Sequence, residues 1–194
     1  GRDLCCSILY RNDAPARQLA SLAMATALGI VDALHEYGIK AQTKWPNDVL
    51  VGDAKIAGIL CELRPGSAVI GIGLNVSMSA AEAARIDQPA TSILIETGTV
   101  QAPREVLPIL LQVLSRRLQA WQEGGFAGLR SDWCRHCLAL GQDITIDDGD
   151  TRQTGVLAGF GDAGQLLLQP HDLAQDGSST PVEIWSGHLR LTNR

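Results

Sequence analysis

Aromatic residues are scarce, at 4% of the 194 residues. So few rings cannot lay out the stacking platform on which single-stranded nucleic acid is held. Excess positive charge is missing as well, since the formal net charge is -5. Non-specific nucleic-acid binding, which needs a basic surface, is thereby excluded, although a local basic pocket for a phosphate is not. No apolar run reads as long enough for a membrane span of roughly 18 residues. There is no initial Met and no signal peptide; the chain opens Gly1-Arg2-Asp3, and the expectation is a fragment or a processed product. Cysteine is odd in number, at 5, with Cys5 and Cys6 adjacent. That is a poor basis for a disulfide scaffold and fits a reducing cytoplasm. What is plentiful is apolar residues, at 45% against 19% charged, so a sizeable core can form. The length suits one large domain, or one domain with a small appendage.

The order of elements reads as α+β. Leu4 to Arg11 is a buried strand that begins almost at the first residue, which suggests structure upstream of it. Asp13-Ala14-Pro15 is a helix start, an N-cap followed by an early Pro. Leu19, Leu22, Ala23, Ala27, Ile30, Val31 and Leu34 then recur at helical spacing, as one helix ending near Gly38. Residues 41–45 and 49–51 are strands about a Pro46-Asn47-Asp48 turn, and residues 55–63 and 68–76 are two more. A helix followed by strands in hairpin succession is not an alternating βαβ series. Residues 103–122 form an amphipathic helix, and Phe126, Leu129, Trp133 and Cys137 continue it in a shorter one. At Gly141 the period changes to alternation, with Ile144 and Ile146 ahead of the turn Asp147-Asp148-Gly149-Asp150. The short strands after it predict a small barrel. The boundary falls near Leu140, giving residues 1–140 and 141–194 as two domains.

Two stretches carry the chemistry. The first is Lys44-Trp45-Pro46-Asn47-Asp48-Val49, followed by Lys55-Ile56-Ala57-Gly58-Ile59-Leu60. Two lysines and a carboxylate flank a tight turn, and lysine ammoniums are point charges suited to phosphate oxygens. The plain alternative is a surface hairpin with solvated charges. The second is Gly71-Ile72-Gly73-Leu74-Asn75-Val76. Glycines inside a strand weaken it and mark a close approach of backbone or ligand. It is not the dinucleotide fingerprint, because Val76 stands where the third glycine would be.

K-W-P-N-D-V, K-I-A-G-I-L and G-x-G-x-N-V, in that order, resemble the biotin protein ligase family. Gly1-Arg2-Asp3-Leu4 leading to Ser7 and Arg11, the turn Ala90-Thr91-Ser92-Ile93, and residues 184–191 add to the likeness. The resemblance implies a class II synthetase-like core with a mixed or antiparallel sheet, followed by an SH3-like barrel. It implies activation of biotin with ATP and Mg²⁺ to biotinyl-5'-AMP, then transfer to a lysine of a biotin carboxyl carrier domain. Lys55 would be the central catalytic lysine, touching the biotin carboxylate and the α-phosphate. Lys44 would support the nucleotide phosphates, and Asn47 and Asp48 would shape and polarise the site. Gly58, Gly71 and Gly73 would let the backbone approach biotin, and Asn75 would contact the adenylate. No protein-held metal site, no DNA contact by this chain and no membrane are expected; a homodimer is allowed.

The chain departs from the family pattern in three ways. The upstream half, with its S/T-T-N strand and G-R-G-R-x-G-R loop, is absent, as is any winged helix-turn-helix. His188 stands where the family often has an acidic residue. A truncated non-catalytic relative, an interaction module, or a lipoate-type ligase therefore remain as alternatives, with Trp45-Pro46-Asn47-Asp48 favouring biotin over lipoate. Cys134-Arg135-His136-Cys137 lies in a helical pattern without a second ligand pair, which speaks for packing rather than zinc or redox chemistry. His35, His136, His171 and His188 are isolated. The acidic turn at 147–150 lacks the twelfth-position ligand of a calcium loop and reads as a hairpin.

Overall fold

Strict alternation of buried and open residues builds the first sheet. In β1 (Leu4–Arg11) and β5 (Ser67–Leu74), every second side chain turns inward. The computed structural model describes residues 2–12, 14–171 and 180–192. With β2 (Gln42–Lys44), β3 (Asp48–Val51) and β4 (Ala54–Arg64), these strands form an antiparallel sheet in the order β1-β5-β4-β3-β2. Its inner face carries Leu4, Ile59, Ile70, Ile72 and Leu74, all buried.

Two helical layers cover that face. The single helix expected from residue 15 is two, α1 (Ala16–Leu19) and α2 (Leu22–His35). The break falls at Ser21, whose hydroxyl bonds back to the Gln18 carbonyl at 2.7 Å, a local alternative to the helical ladder. The proposed cap Asp13 lies outside the described residues. By length and hydropathy, Arg17–His35 could span a membrane, contrary to the sequence reading, with a mean hydropathy of 1.3. In the fold 78% of that window is buried, because α2 is apolar on nearly all sides and lies between the sheet and α5 (Pro103–His136). A Cβ on Gly29 would lie 3.2 Å from the Leu114 backbone, so glycine sets how closely α2 and α5 cross. Helix α5 bends at Gly125 (φ 61°, ψ -163°), which joins the long helix and the shorter one that the periodicity separates.

Two short helices have no counterpart in the sequence reading: α3 (Ala80–Ala83) and α4 (Ile93–Thr97). Both carried signals. Ser79 and Glu82 form a capping box, and Ser92 caps α4 ahead of Gly98 in the left-handed region.

Beyond Gly141 lies a second antiparallel sheet of β6 (Asp143–Asp147), β7 (Arg152–Phe160), β8 (Leu166–Pro170), β9 (Val182–Ile184) and β10 (His188–Leu191). Its order is β10-β6-β7-β8-β9. Its apolar side, with Leu157, Phe160 and Leu166, joins the core through edge-to-face contacts among Phe126, Trp133 and Phe160.

Candidate active site

Cross-strand partners share a face of a sheet. The register therefore sets Lys44, Asp48, Gly58, Gly73 and Cys5 in one row across the open face of the first sheet. Leu60, Gly71 and Ser7 form the next row. In an unbroken strand, residues 55 and 58 would point to opposite faces. Here β3 advances from Val49 to Leu50 while its partner in β4 advances from Ala57 to Lys55. This bulge at Ile56 brings Lys55 to the same face as Gly58, the re-aiming for which bulges are used.

The Lys55 ammonium is 2.5 Å from Asp48 Oδ1, with both side chains partly open to solvent. A Cβ on Gly58 would stand 3.0 Å from both Cε and Nζ of Lys55, so the lysine end lies directly over that glycine. The Lys55 backbone is fixed as well: its N–H donates to the Pro89 carbonyl at 2.9 Å, and its carbonyl accepts from Thr91 N–H at 3.0 Å.

Two cavities meet at this lysine. One, of about 540 Å³, is lined by Cys5, Ser7, Asn47, Asp48, Leu60 and Gly71 among others. The other, of about 250 Å³, is lined by Asp3, Leu74, Asn75, Ile86, Gln88 and Ala90. Both share Lys55, Gly58, Gly73 and Cys5. A two-lobed depression with a cation on the shared wall can hold two ligands and bring an anionic group of each to one ammonium.

The family model of the biotin/lipoate A/B protein ligases matches residues 1–79. Over 173 residues the chain is 31% identical to the biotin–[acetyl-CoA-carboxylase] ligase of Paracoccus denitrificans, covering 84% of this chain and 72% of that protein. The chain belongs to the biotin protein ligase family. The bifunctional ligase/repressor of Bacillus subtilis is 27% identical, and the chain spans 59% of its length. The biotin protein ligase of Aquifex aeolicus superposes with a TM-score of 0.83 at 30% identity, over 98% of this chain and 83% of that one. A structure of the Aquifex ligase in complex with biotin and ATP superposes with a TM-score of 0.76 at 26% identity.

Within this ligase fold, Lys55, Asp48, Asn47, Gly58, Gly71, Gly73 and Asn75 all line one or both cavities. Lys44 does not. It sits beyond Asp48 in the same row, half-buried, outside both linings. Two predicted contacts also hold the frame. Asn47 Nδ2 donates to the Ile59 carbonyl at 2.6 Å, and Asn75 Nδ2 donates to the Thr91 carbonyl at 2.9 Å. Each amide thus has its nitrogen committed to backbone. None of the four histidines lines either cavity; His188 is exposed at the start of β10, opposite Asp147 in the strand register. Cys134 and Cys137 lie at the end of α5, and burial pushes the Cys137 thiol up to about 11.

Sequence reasoning passed over Asp3, Cys5, Ile86 and Gln88. Asp3 Oδ1 accepts from the N–H groups of Val76 (2.8 Å) and Ser77 (3.1 Å), fixing the start of β1 beside the end of β5. Pairing of β1 with β5 brings Cys5 to the site, and the loop that holds Ile86 and Gln88 is tied beside it by the Lys55 backbone bonds to Pro89 and Thr91.

Proposed function

We propose that the chain activates biotin with ATP to biotinyl-5'-AMP and transfers the biotinyl group to a lysine of a biotin carboxyl carrier protein. The observation that carries this reading is the Lys55 ammonium on the wall shared by two cavities, in a chain of this family. The larger cavity, with Gly71 and Leu60, suits the fused rings and apolar tail of biotin. The smaller, with Asn75, suits the nucleotide. In the first step the biotin carboxylate attacks the α-phosphorus and pyrophosphate leaves. Two anions must meet, and a fixed ammonium lowers that barrier because it is already placed where charge gathers. Asp48 orients the ammonium through the 2.5 Å pair. In the second step the acceptor amine attacks the acyl carbon, AMP leaves, and the amine gives up a proton.

Each cavity brings one carboxylate, Asp48 or Asp3, and among the described residues no group of three His, Cys, Asp or Glu could cage a metal. Such a donor set fits magnesium carried on phosphate oxygens, where it would neutralise the phosphate charge. We further infer that the β6–β10 sheet is the SH3-like appendage of this family, and that the reaction takes place in the cytoplasm.

Biotin-dependent exchange of labelled pyrophosphate into ATP tests the reading. Lys55→Ala is expected to lower the exchange rate by about a hundredfold or more while leaving the thermal midpoint nearly unchanged. Exchange by Lys55→Ala equal to that of the unaltered chain would remove Lys55 from the chemistry. A folded unaltered chain that gives no exchange would instead favour a non-catalytic relative.

A further inference from the structure

The turn that carries Asp48 is gripped from the C-terminal sheet. Trp45, 3% exposed, donates its indole Nε1–H to the Gly164 carbonyl at 3.1 Å, 119 residues away. Gly164 lies in the β7–β8 turn, which is tied internally by Gly161 N–H to the Gln165 carbonyl at 2.8 Å and Gly164 N–H to the Gly161 carbonyl at 3.1 Å. The turn is wedged as well as tied. Gly164 has φ +89°, and a Cβ there would meet Met24 Sδ at 2.7 Å and the Ser21 Cβ at 3.0 Å. Just before Trp45, the Thr43 carbonyl accepts from Leu138 N–H at 3.0 Å, in the segment that leads from α5 to β6. On the other side of the turn, Asn47 is bonded to Ile59 through its backbone carbonyl (3.0 Å) and its side chain (2.6 Å).

We propose that Trp45 is a positioning residue, through which the β7–β8 turn sets the placement of Asp48 and hence of the Lys55 ammonium. The chain of contacts is short: Gly164 to Trp45, two residues along the turn to Asn47 and Asp48, then 2.5 Å to Lys55. The bond is buried, so removing the donor leaves the Gly164 carbonyl unsatisfied and the turn must shift to recover a partner. This inference rests on the reading of Lys55 as the central amine of the ligase site, but its test does not require turnover.

The test is competitive acylation of lysines in the full chain by acetic anhydride, read by mass spectrometry as the rate at Lys55 relative to Lys40. Hydrogen exchange over residues 42–60 is read alongside. Trp45→Phe keeps a ring and removes the donor. Thr26→Val is the control, because Thr26 Oγ1 is a buried donor too, to the Leu22 carbonyl at 2.7 Å within α2. Trp45→Phe should raise the Lys55 rate ratio and local exchange by about fivefold, the population change that one hydrogen bond controls, while Thr26→Val leaves both unchanged. Gly164→Ala, which pushes the turn outward from the other side, should act in the same direction and serves if Trp45→Phe does not fold. An unchanged Lys55 ratio in a folded turn variant, or an equal rise in Thr26→Val, would overturn the proposal. Either result leaves the ligase reading standing. Lack of pyrophosphate exchange by the unaltered chain would count against the ligase reading alone.

Discussion

At the scale of the residue, Gly58 shows how little separates a working arrangement from a blocked one. Its missing side chain is the space in which Lys55 Cε and Nζ lie, 3.0 Å from where a Cβ would be. Gly58 needs no left-handed backbone, so alanine is admissible to the strand, and the flexible end of Lys55 is what must yield. Gly58→Ala should therefore change stability by no more than about 0.5 kcal/mol. It should lower pyrophosphate exchange by about ten- to a hundredfold, the cost of misplacing a reacting group by a fraction of an ångström to an ångström. Exchange at the unaltered rate would show that Lys55 acts from elsewhere. Much of this site was legible in the sequence, because lysines, a carboxylate and strand glycines close together in the chain carry their spacing with them. Lys44 lies outside both linings, since spacing along a hairpin does not say where a cavity ends. Cys5 reaches the site only by pairing of β1 with β5, which no motif records.

At the scale of the element, the bend of α5 is held by charge. Arg117, before the bend, donates from Nε to Asp32 Oδ2 of α2 at 2.6 Å and from Nη1 to Asp132 Oδ2 at 2.5 Å beyond the bend. Arg135 adds a second cation to Asp132 at 2.8 Å. The hydrogen bond from Arg117 holds the Asp132 carboxyl below its usual range, and the charges of Arg117 and Arg135 add to this against partial burial. A carboxyl with a depressed folded value stabilises the fold above its ordinary value of 3.8 and loses that contribution as pH falls through the folded value. Asp132→Asn should therefore be less stable than the unaltered chain by about 1–2 kcal/mol at pH 7. The difference should close as the pH falls below 3.8 toward the folded value, as followed by denaturant titration at a series of pH values. A difference constant from pH 7 to pH 2 would assign the effect to shape rather than charge. The sequence showed the two halves of α5 through their apolar period, but not the cluster that folds one against the other, because Asp32, Arg117 and Asp132 share no local pattern. The split of α1 from α2 was hidden for a related reason: Ser21 breaks the helix by a side-chain bond while the apolar spacing runs on through it.

At the scale of the whole molecule, one side of the first sheet is buried under α2 and α5 and the other is the site. Every residue lining the larger cavity comes from the sheet itself or from the turn between β2 and β3. Leu60 and Leu9, on that same face, are 65% and 61% exposed. Among the described residues no helix or loop outside the sheet and that turn lines the larger cavity, so a ligand there would have a floor and no roof. Two costs follow. Water reaches the mixed anhydride, which hydrolyses unless the site excludes it. The carboxylate and α-phosphate are also held by one surface, so much of the roughly 7 kcal/mol or more that positioning can supply goes unrealised. The 194-residue chain alone should therefore bind biotin weakly and release free biotinyl-5'-AMP, or its hydrolysis products, faster than it modifies an acceptor domain. Quench-flow with labelled biotin, separating adenylate, free biotin and biotinylated acceptor, measures this partition directly. Acceptor modification that outpaces hydrolysis would mean that the open face is closed by something other than the described chain, the acceptor domain itself being the candidate already in the tube. Adding an acceptor domain whose target lysine is changed to arginine would then slow hydrolysis without accepting biotin.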